Sequence, residues 1–416
     1  MSDHHFTHET WLSKLRDHLK EERYAAKTAS RCVPVARHFL ASLAKQHVEA
    51  SAARPSHLER YLQEARRRYR RRHGHVPDYK GWQAVHTSSV RMLLRVVQGT
   101  WPPPAVATTA AEMWQQAIHD EYVQWLSDAR GLAPATISSC CAEAAHFFGW
   151  LGARATREGL AALALVDVDT YLKGRVGSVR RRTRSSIAAR ARGLLRWLHL
   201  AGHTVRDLAS AVITPSIHAF ENIPGALRAE EVQQVLAVAR EDHTPKGRRD
   251  YAILMLLSTY GVRAGEITAL RLDDIDWRKN VIRIRHSKTR ATSYLPLRVD
   301  VGEALVTYLQ KSRPRTARRE IFLRCHAPYR PLNDGSSLYG LVQCRLAAAH
   351  VVPTGKRGPH AFRHARALSL LRASVPVKEI GDVLGHRAAD STLVYLKLAT
   401  EDLRAVALEM PMAVTK

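Results

Sequence analysis

Two textures succeed each other along this chain. Up to about residue 210, apolar side chains recur at helical spacing with arginines on the opposite side, as in Arg91-Met92-Leu93-Leu94-Arg95 and Arg192-Gly193-Leu194-Leu195-Arg196. That pattern predicts amphipathic helices backed on a core, with a basic outer face. From residue 225 the pattern changes: residues 227–231 (LRAEE) open an amphipathic helix, and residues 250–258 (DYAILMLLS) are apolar enough for a buried one. The alternating runs VIRIRHS and TSYLPL then flank Lys288-Thr289-Arg290, which predicts a β-hairpin around a basic turn. Beyond residue 300 helical patterns dominate, broken by loops such as VVPTGKRGP. The expected fold class is mainly α with a small β-sheet: helical N-terminal modules followed by an α+β domain.

Breaks in the pattern divide the chain. Trp101-Pro102-Pro103-Pro104 cannot continue a helix and reads as a semi-rigid connector. Pro215 and Pro224-Gly225 bracket a second break. The expected organisation is a helical module over 1–101, a second over 111–211, a linker over 212–224, a C-terminal domain over 225–408 and a tail over 409–416. The first two modules look like duplicates, since Thr28, Cys32, His38, Phe39 and Leu43 recur 108 residues later as Thr136, Cys140, His146, Phe147 and Leu151. The alternative is two basic amphipathic segments alike by composition alone.

Composition sharpens this picture. Against 64 lysines and arginines stand 38 acidic residues, a formal charge of +26, while 45% hydrophobic residues support a folded core. A foldable, strongly basic chain points to a polyanion, with nucleic acid ahead of an anionic membrane. No apolar run approaches the ~20 residues of a membrane span, and MSDHHFTHETW does not resemble a signal peptide, so a cytoplasmic, nucleoid-associated protein of a prokaryote is expected. The basic residues concentrate in two runs, one of Arg66, Arg67, Arg68, Arg70, Arg71 and Arg72, and one of Arg180, Arg181, Arg182 and Arg184. Each is expected to precede a helix carrying further arginines, Arg192 and Arg196 in the second module, and to contact DNA phosphates. The competing reading of such runs is a solvated face. Cys32, Cys140, Cys141, Cys325 and Cys344 show no CxxC spacing and are expected to be buried reduced thiols. His4, His5 and His8 are expected to lie on a mobile tail.

The candidate chemistry sits in the last 160 residues. Within TYGVRAGE, Arg263 follows a glycine turn at a helix start, where side chain and helix dipole both favour an anion. Lys288 occupies the hairpin tip. In HAFRH, His360 and Arg363 stand three apart on one helical face, able to address one ligand. Leu384-Gly385-His386 follows, and Tyr395 comes nine residues later. Any one of these alone is an ordinary core or surface residue. An Arg263–Glu266 pair is most often a helix salt bridge, which would here hold Arg263 in place. His360 and His364 could start a zinc site, but they lack a third ligand and a metalloprotease-type Glu, so no metal is expected.

Together Arg263, Lys288, His360, Arg363, His386 and Tyr395, in this order and spacing, resemble the active-site set of the tyrosine recombinase, or phage integrase, family. The strings TYGVRAGEITALRLDDIDW, GPHAFRHARAL and DVLGHRAADSTLVY are similar to its signature boxes; Phe362 stands where a leucine is usual. The resemblance covers residues 225–408 as the catalytic domain and 111–211 as a SAM-like core-binding domain. It implies a C-shaped clamp on duplex DNA, no cofactor, and a homotetramer on two duplexes. It also implies a site-specific recombinase of a mobile element, working alone or with related recombinases or accessory factors. Residues 396–416, with the apolar Leu403, Val406 and Leu408, would pack on a neighbouring protomer.

The chemistry needs these residue types. Rejoining a phosphodiester without an energy source requires a covalent intermediate, and a tyrosine phenol gives one whose reversal is easy. Charge developing on the non-bridging oxygens calls for fixed cations, which the two arginines offer in bidentate form. By resemblance, His386 is a further donor, His360 helps the phenol lose its proton and Lys288 delivers one to the leaving 5′-oxygen. Two rival readings are a type IB topoisomerase-like nicking-closing enzyme and a catalytically silent DNA-binding protein; the second predicts a missing Arg, His or Tyr.

Overall fold

The computed structural model describes residues 3–103, 107–177, 179–216, 226–286, 291–332 and 334–385. Four helices make the N-terminal module: α1 (Asp3–Glu21), α2 (Ala26–Ala44), α3 (Pro55–His73) and α4 (Tyr79–Gln98). Leu12, Leu15 and Leu19 lie on one stripe of α1 and pack with Phe39, Leu43, Tyr61, Leu93 and Leu94. The helix extends N-terminal of that stripe: the backbone of His4, His5 and His8 belongs to α1, which corrects the expectation of a tail.

Five helices form the middle module: α5 (Ala110–Gln124), α6 (Pro134–Leu151), α7 (Arg157–Ala161), α8 (Leu165–Val176) and α9 (Arg181–Leu200). Thr109 and Glu112 close a capping box at the start of α5, where the Thr108 and Thr109 main-chain N–H groups donate to the carboxylate and hold its pKa down at about 2. Leu194, Leu195, Trp197 and Leu198 of α9 form the centre of this core. Of the positions that recur at 108 residues, Phe39 and Leu43 in α2 and Phe147 and Leu151 in α6 are all buried, whereas Cys32 is buried and Cys140 only half-buried. The chain from Pro104 to Glu221 is a compact unit by itself, whereas the N-terminal module groups with the C-terminal block. Between those two run an ion pair from Arg330 to Glu22 (3.4 Å) and a hydrogen bond from Arg23 to the Arg315 carbonyl (2.8 Å).

The C-terminal block is built on α11 (Pro245–Tyr260), preceded by α10 (Ala229–Glu241). Its run of Ala252, Ile253, Leu254, Leu256 and Leu257 is fully buried, so apolar residues face every side of the helix. Asp250, with no exposed surface, accepts hydrogen bonds from Lys246 (2.8 Å), Arg249 (2.9 Å) and Arg345 (2.8 Å), which satisfies its charge inside the block. After α11 come the short helix α12 (Ala264–Thr268) and a three-stranded antiparallel sheet in the order β1 (Ile275–Asp276), β2 (Val281–Arg285), β3 (Thr292–Pro296). Strands β2 and β3 are the predicted hairpin, paired Ile284 to Ser293 and Arg285 to Thr292. Helices α13 (Val299–Lys311), α14 (Asp334–Ala348), α15 (Pro359–Arg372) and α16 (Val377–Leu384) complete the block. The fold is mostly helical with one small sheet, as the residue pattern predicts.

The cysteines are free, yet only Cys32 is buried and Cys344 is exposed, which corrects the expectation of uniformly buried thiols. No helix among the described residues is long and apolar enough to cross a membrane.

Candidate active site

The site is assembled where α11 ends. Gly261 terminates that helix with φ +62°, a left-handed conformation that turns the chain directly into Arg263, the N-cap of α12. The Arg263 main-chain N–H donates to Glu266 Oε2 (2.8 Å) and its Nη1 donates to Oε1 (2.9 Å). A second arm, Nη2, donates to the carbonyl of Gly385 (3.2 Å), so one guanidinium links the α12 start to the end of α16. Burial by itself would raise the Glu266 pKa, but hydrogen bonds from His286 and Arg263 outweigh it and hold the carboxylate below its usual range. Glu266 is thus an ionised, buried anchor for Arg263, the role the R-x-x-E spacing suggests.

Arg363 is held from the opposite direction. Its place in the first turns of α15 buries it to 3% exposure, where Nη1 donates to the Gly261 carbonyl and Nη2 to the Leu384 carbonyl, both at 2.7 Å. Arg263 and Arg363 therefore grip neighbouring carbonyls of the same 384–385 turn. His360, one turn before Arg363, is exposed on the surface of α15. Its pKa is lowered by partial desolvation first and then by the fields of Lys356, Arg363 and Arg263. A neutral imidazole among cations is a proton acceptor rather than another charge.

Of the six candidate catalytic residues, Arg263 and Arg363 meet at the 384–385 turn, and His360 lies near enough for both guanidiniums to bear on its pKa. Lys288, His386 and Tyr395 lie outside the described residues. What flanks two of them is well defined: Lys288 follows β2, whose last rung is closed by the His286 main-chain N–H donating to the Ala291 carbonyl (2.8 Å), and His386 follows the Gly385 turn. No group of three or more His, Cys, Asp or Glu among the described residues is arranged to hold a metal, and the His360 and His364 rings stand 6.2 Å apart.

One residue of the site escapes a reading by motif. His286 is almost completely buried, with Nδ1 2.9 Å from Glu266 Oε1 and Nε2 2.8 Å from Ser293 Oγ. The signal was present in the alternation of VIRIRHS, which places Ile282, Ile284 and His286 on the inward face of the strand.

The basic runs differ in setting. Arg66, Arg67, Arg68, Arg70, Arg71 and Arg72 are all exposed along α3, a helix of its own before α4. The second run does not precede its helix: Arg180 is the N-cap of α9 and Arg181, Arg182 and Arg184 form its opening turn, because nothing between the run and the apolar stripe breaks the helix. Arg180, Arg181, Arg182 and Arg196 are exposed. Arg184 folds back onto the carbonyls of Val179 (2.8 Å) and Gly177 (2.9 Å), and half-buried Arg192 donates to the Val212 carbonyl and Thr214 Oγ1, tying down the chain that leaves the module.

Comparison with known proteins gives the family. The sequence profile of the Phage integrase family matches residues 226–402. An integrase/recombinase of Sinorhizobium fredii, y4gC, is 57% identical over 189 residues, which are 45% of this chain and 97% of that protein. A second from the same organism, y4rA, is 35% identical over 291 residues, 70% of each chain, so the likeness runs back into the helices before residue 226. A lambda integrase dimer solved on a COC′ core site shares the fold at 16% identity and a TM-score of 0.51, over 72% of this chain and 99% of that one. With two arginines gripping one turn, and with relatives matched over most of their length, this chain belongs to the phage integrase family of tyrosine recombinases.

Proposed function

We propose that the protein breaks and rejoins duplex DNA through Tyr395. In this reading the phenol oxygen attacks the scissile phosphorus, the bond to the 5′-oxygen breaks, and a 3′-phosphotyrosyl bond stores the phosphodiester energy. The phenol proton passes to neutral His360 and a proton from Lys288 completes the 5′-hydroxyl, which then attacks a phosphotyrosyl bond on a partner strand. Arg263, Arg363 and His386 donate to the non-bridging oxygens. The observation that carries the reading is the meeting of Arg263 and Arg363 on the 384–385 turn, directly before His386 in the sequence, with His360 within the field of both.

The reading extends to the DNA partner. The exposed arginines at 66–72 and at 180–182, with Arg196, present phosphate-binding faces on two helical modules, and a C-shaped clamp of those modules and the catalytic domain would enclose the duplex. Exchange between two duplexes calls for four protomers, with residues 396–416 reaching a neighbour. The biological setting we infer is a bacterial mobile element.

A nicked suicide substrate tests the core of this. Incubated without metal and run on a denaturing gel, wild type should give a covalent protein–DNA adduct and Tyr395→Phe none. Bound DNA with no adduct from wild type would overturn the reading in favour of a silent DNA-binding protein.

A further inference from the structure

His286 touches three parts of the site at once. Its imidazole meets Oε1 of Glu266, the same oxygen that receives Arg263 Nη1. Glu266 is ionised, so Nδ1 carries a hydrogen and donates, while Nε2 is fixed by Ser293 Oγ across the hairpin. The backbone of His286 closes the last rung before the segment that carries Lys288. Finally, its ring lies against Gly385, where a Cβ would come within 2.5 Å of the imidazole. A fully buried carboxylate needs several donors to stay ionised. Without His286, Oε1 would keep only its bond to Arg263, and the carboxylate would either take up a proton or turn away. Either change loosens the grip on Arg263.

We propose that His286 is a positioning residue for strand cleavage: it fixes Glu266, and through Glu266 aims Arg263 at the scissile phosphate. This rests on the strand-cleavage reading above. It assigns a role to a residue on a strand, away from the helix starts and turns that supply the other groups.

The test is single-turnover cleavage of the nicked substrate at saturating protein, with DNA affinity measured alongside. His286→Leu should slow cleavage about ten- to hundredfold, the scale of a lost hydrogen bond to a charged group, while the Kd for DNA stays unchanged. His286→Asn should recover most of the rate, because its amide N–H can stand where Nδ1–H stands. His286→Gln, whose amide reaches toward Ser293 instead, should remain slow. Acting through Glu266 also predicts that His286→Leu adds little to Glu266→Gln, so the double variant is no slower than the slower single one. Unchanged cleavage by His286→Leu, or costs that multiply in the double variant, would overturn the proposal. Should His286→Leu not fold, the comparison of Asn with Gln decides, and equal rates for those two count against it. Wild type without an adduct would instead overturn the cleavage reading itself, which keeps the two failures apart.

Discussion

At the scale of the residue, His360 gives the site a pH signature. Its pKa lies below the ordinary histidine value of about 6.5, through desolvation and then through Lys356, Arg363 and Arg263. A base works only when unprotonated, so cleavage should be fully present above the lowered pKa and lost as pH falls through it. The acid limb of the single-turnover rate should therefore lie below about pH 6.5. Lys356→Gln removes one of the cations and should move that limb upward, toward the ordinary value, with little change in the plateau. A limb that stays in place would show that another group titrates. The sign for stability is the same: the unfolded chain takes up this proton first, so stability is lost as pH drops from the ordinary histidine range through the lowered value. His360, Arg363 and Arg263 were legible in the sequence because each belongs to a short string whose spacing is set within one helix turn. His286 was not, because its function is created by strand pairing and by α16, about a hundred residues further on, and a single histidine in an alternating strand has no local mark beyond its inward register.

At the scale of the element, the end of α16 is the hub. Leu384 and Gly385 offer carbonyls to both arginines, and Gly385 adopts φ +64° with the His286 ring against its α-carbon. A side chain here meets two penalties, the left-handed conformation at about 1–2 kcal/mol and a clash with a buried ring that cannot leave without breaking its bonds to Glu266 and Ser293. Gly385→Ala should thus reduce adduct formation well over tenfold while leaving DNA affinity near wild type. Thermal unfolding should show a loss of about 1–3 kcal/mol, the usual scale for strain at such a position. Normal cleavage by Gly385→Ala would mean the turn can shift without disturbing the arginines. The helices and the β2–β3 hairpin were readable from periodicity, since each spans several repeats of its pattern. Strand β1 was not, because two residues cannot display a period of two. The placement of Arg180–184 within α9 went unread for a different reason: polar residues of good helix propensity leave no boundary at which a helix must start.

At the scale of the whole molecule, charge governs how the protein meets DNA. The excess of +26 is spread over the chain, but the densest run lies on α3 of the N-terminal module, outside the segment that the family profile covers. All six arginines of that run are exposed and contribute little to the core beneath, which is made by Leu58, Tyr61 and Ala65. Replacing all six with glutamine leaves that apolar core in place and should remove the charges that meet phosphate. Each phosphate contact contributes about 0.9 to the slope of log K against log salt concentration, so six lost contacts would lower the slope by up to about 5. The matching experiment on the middle module, Arg180, Arg181 and Arg182 to glutamine, would lower it by up to about 3 on the same scale. A nuclease footprint separates the two modules further. If α3 lies on DNA, the six-arginine variant should protect a shorter stretch than wild type, yet cleave bound suicide substrate at an unchanged rate, since no group of the active site has been touched. An unaltered slope and footprint would assign α3 to a solvated face and leave the middle module and catalytic domain to hold the duplex.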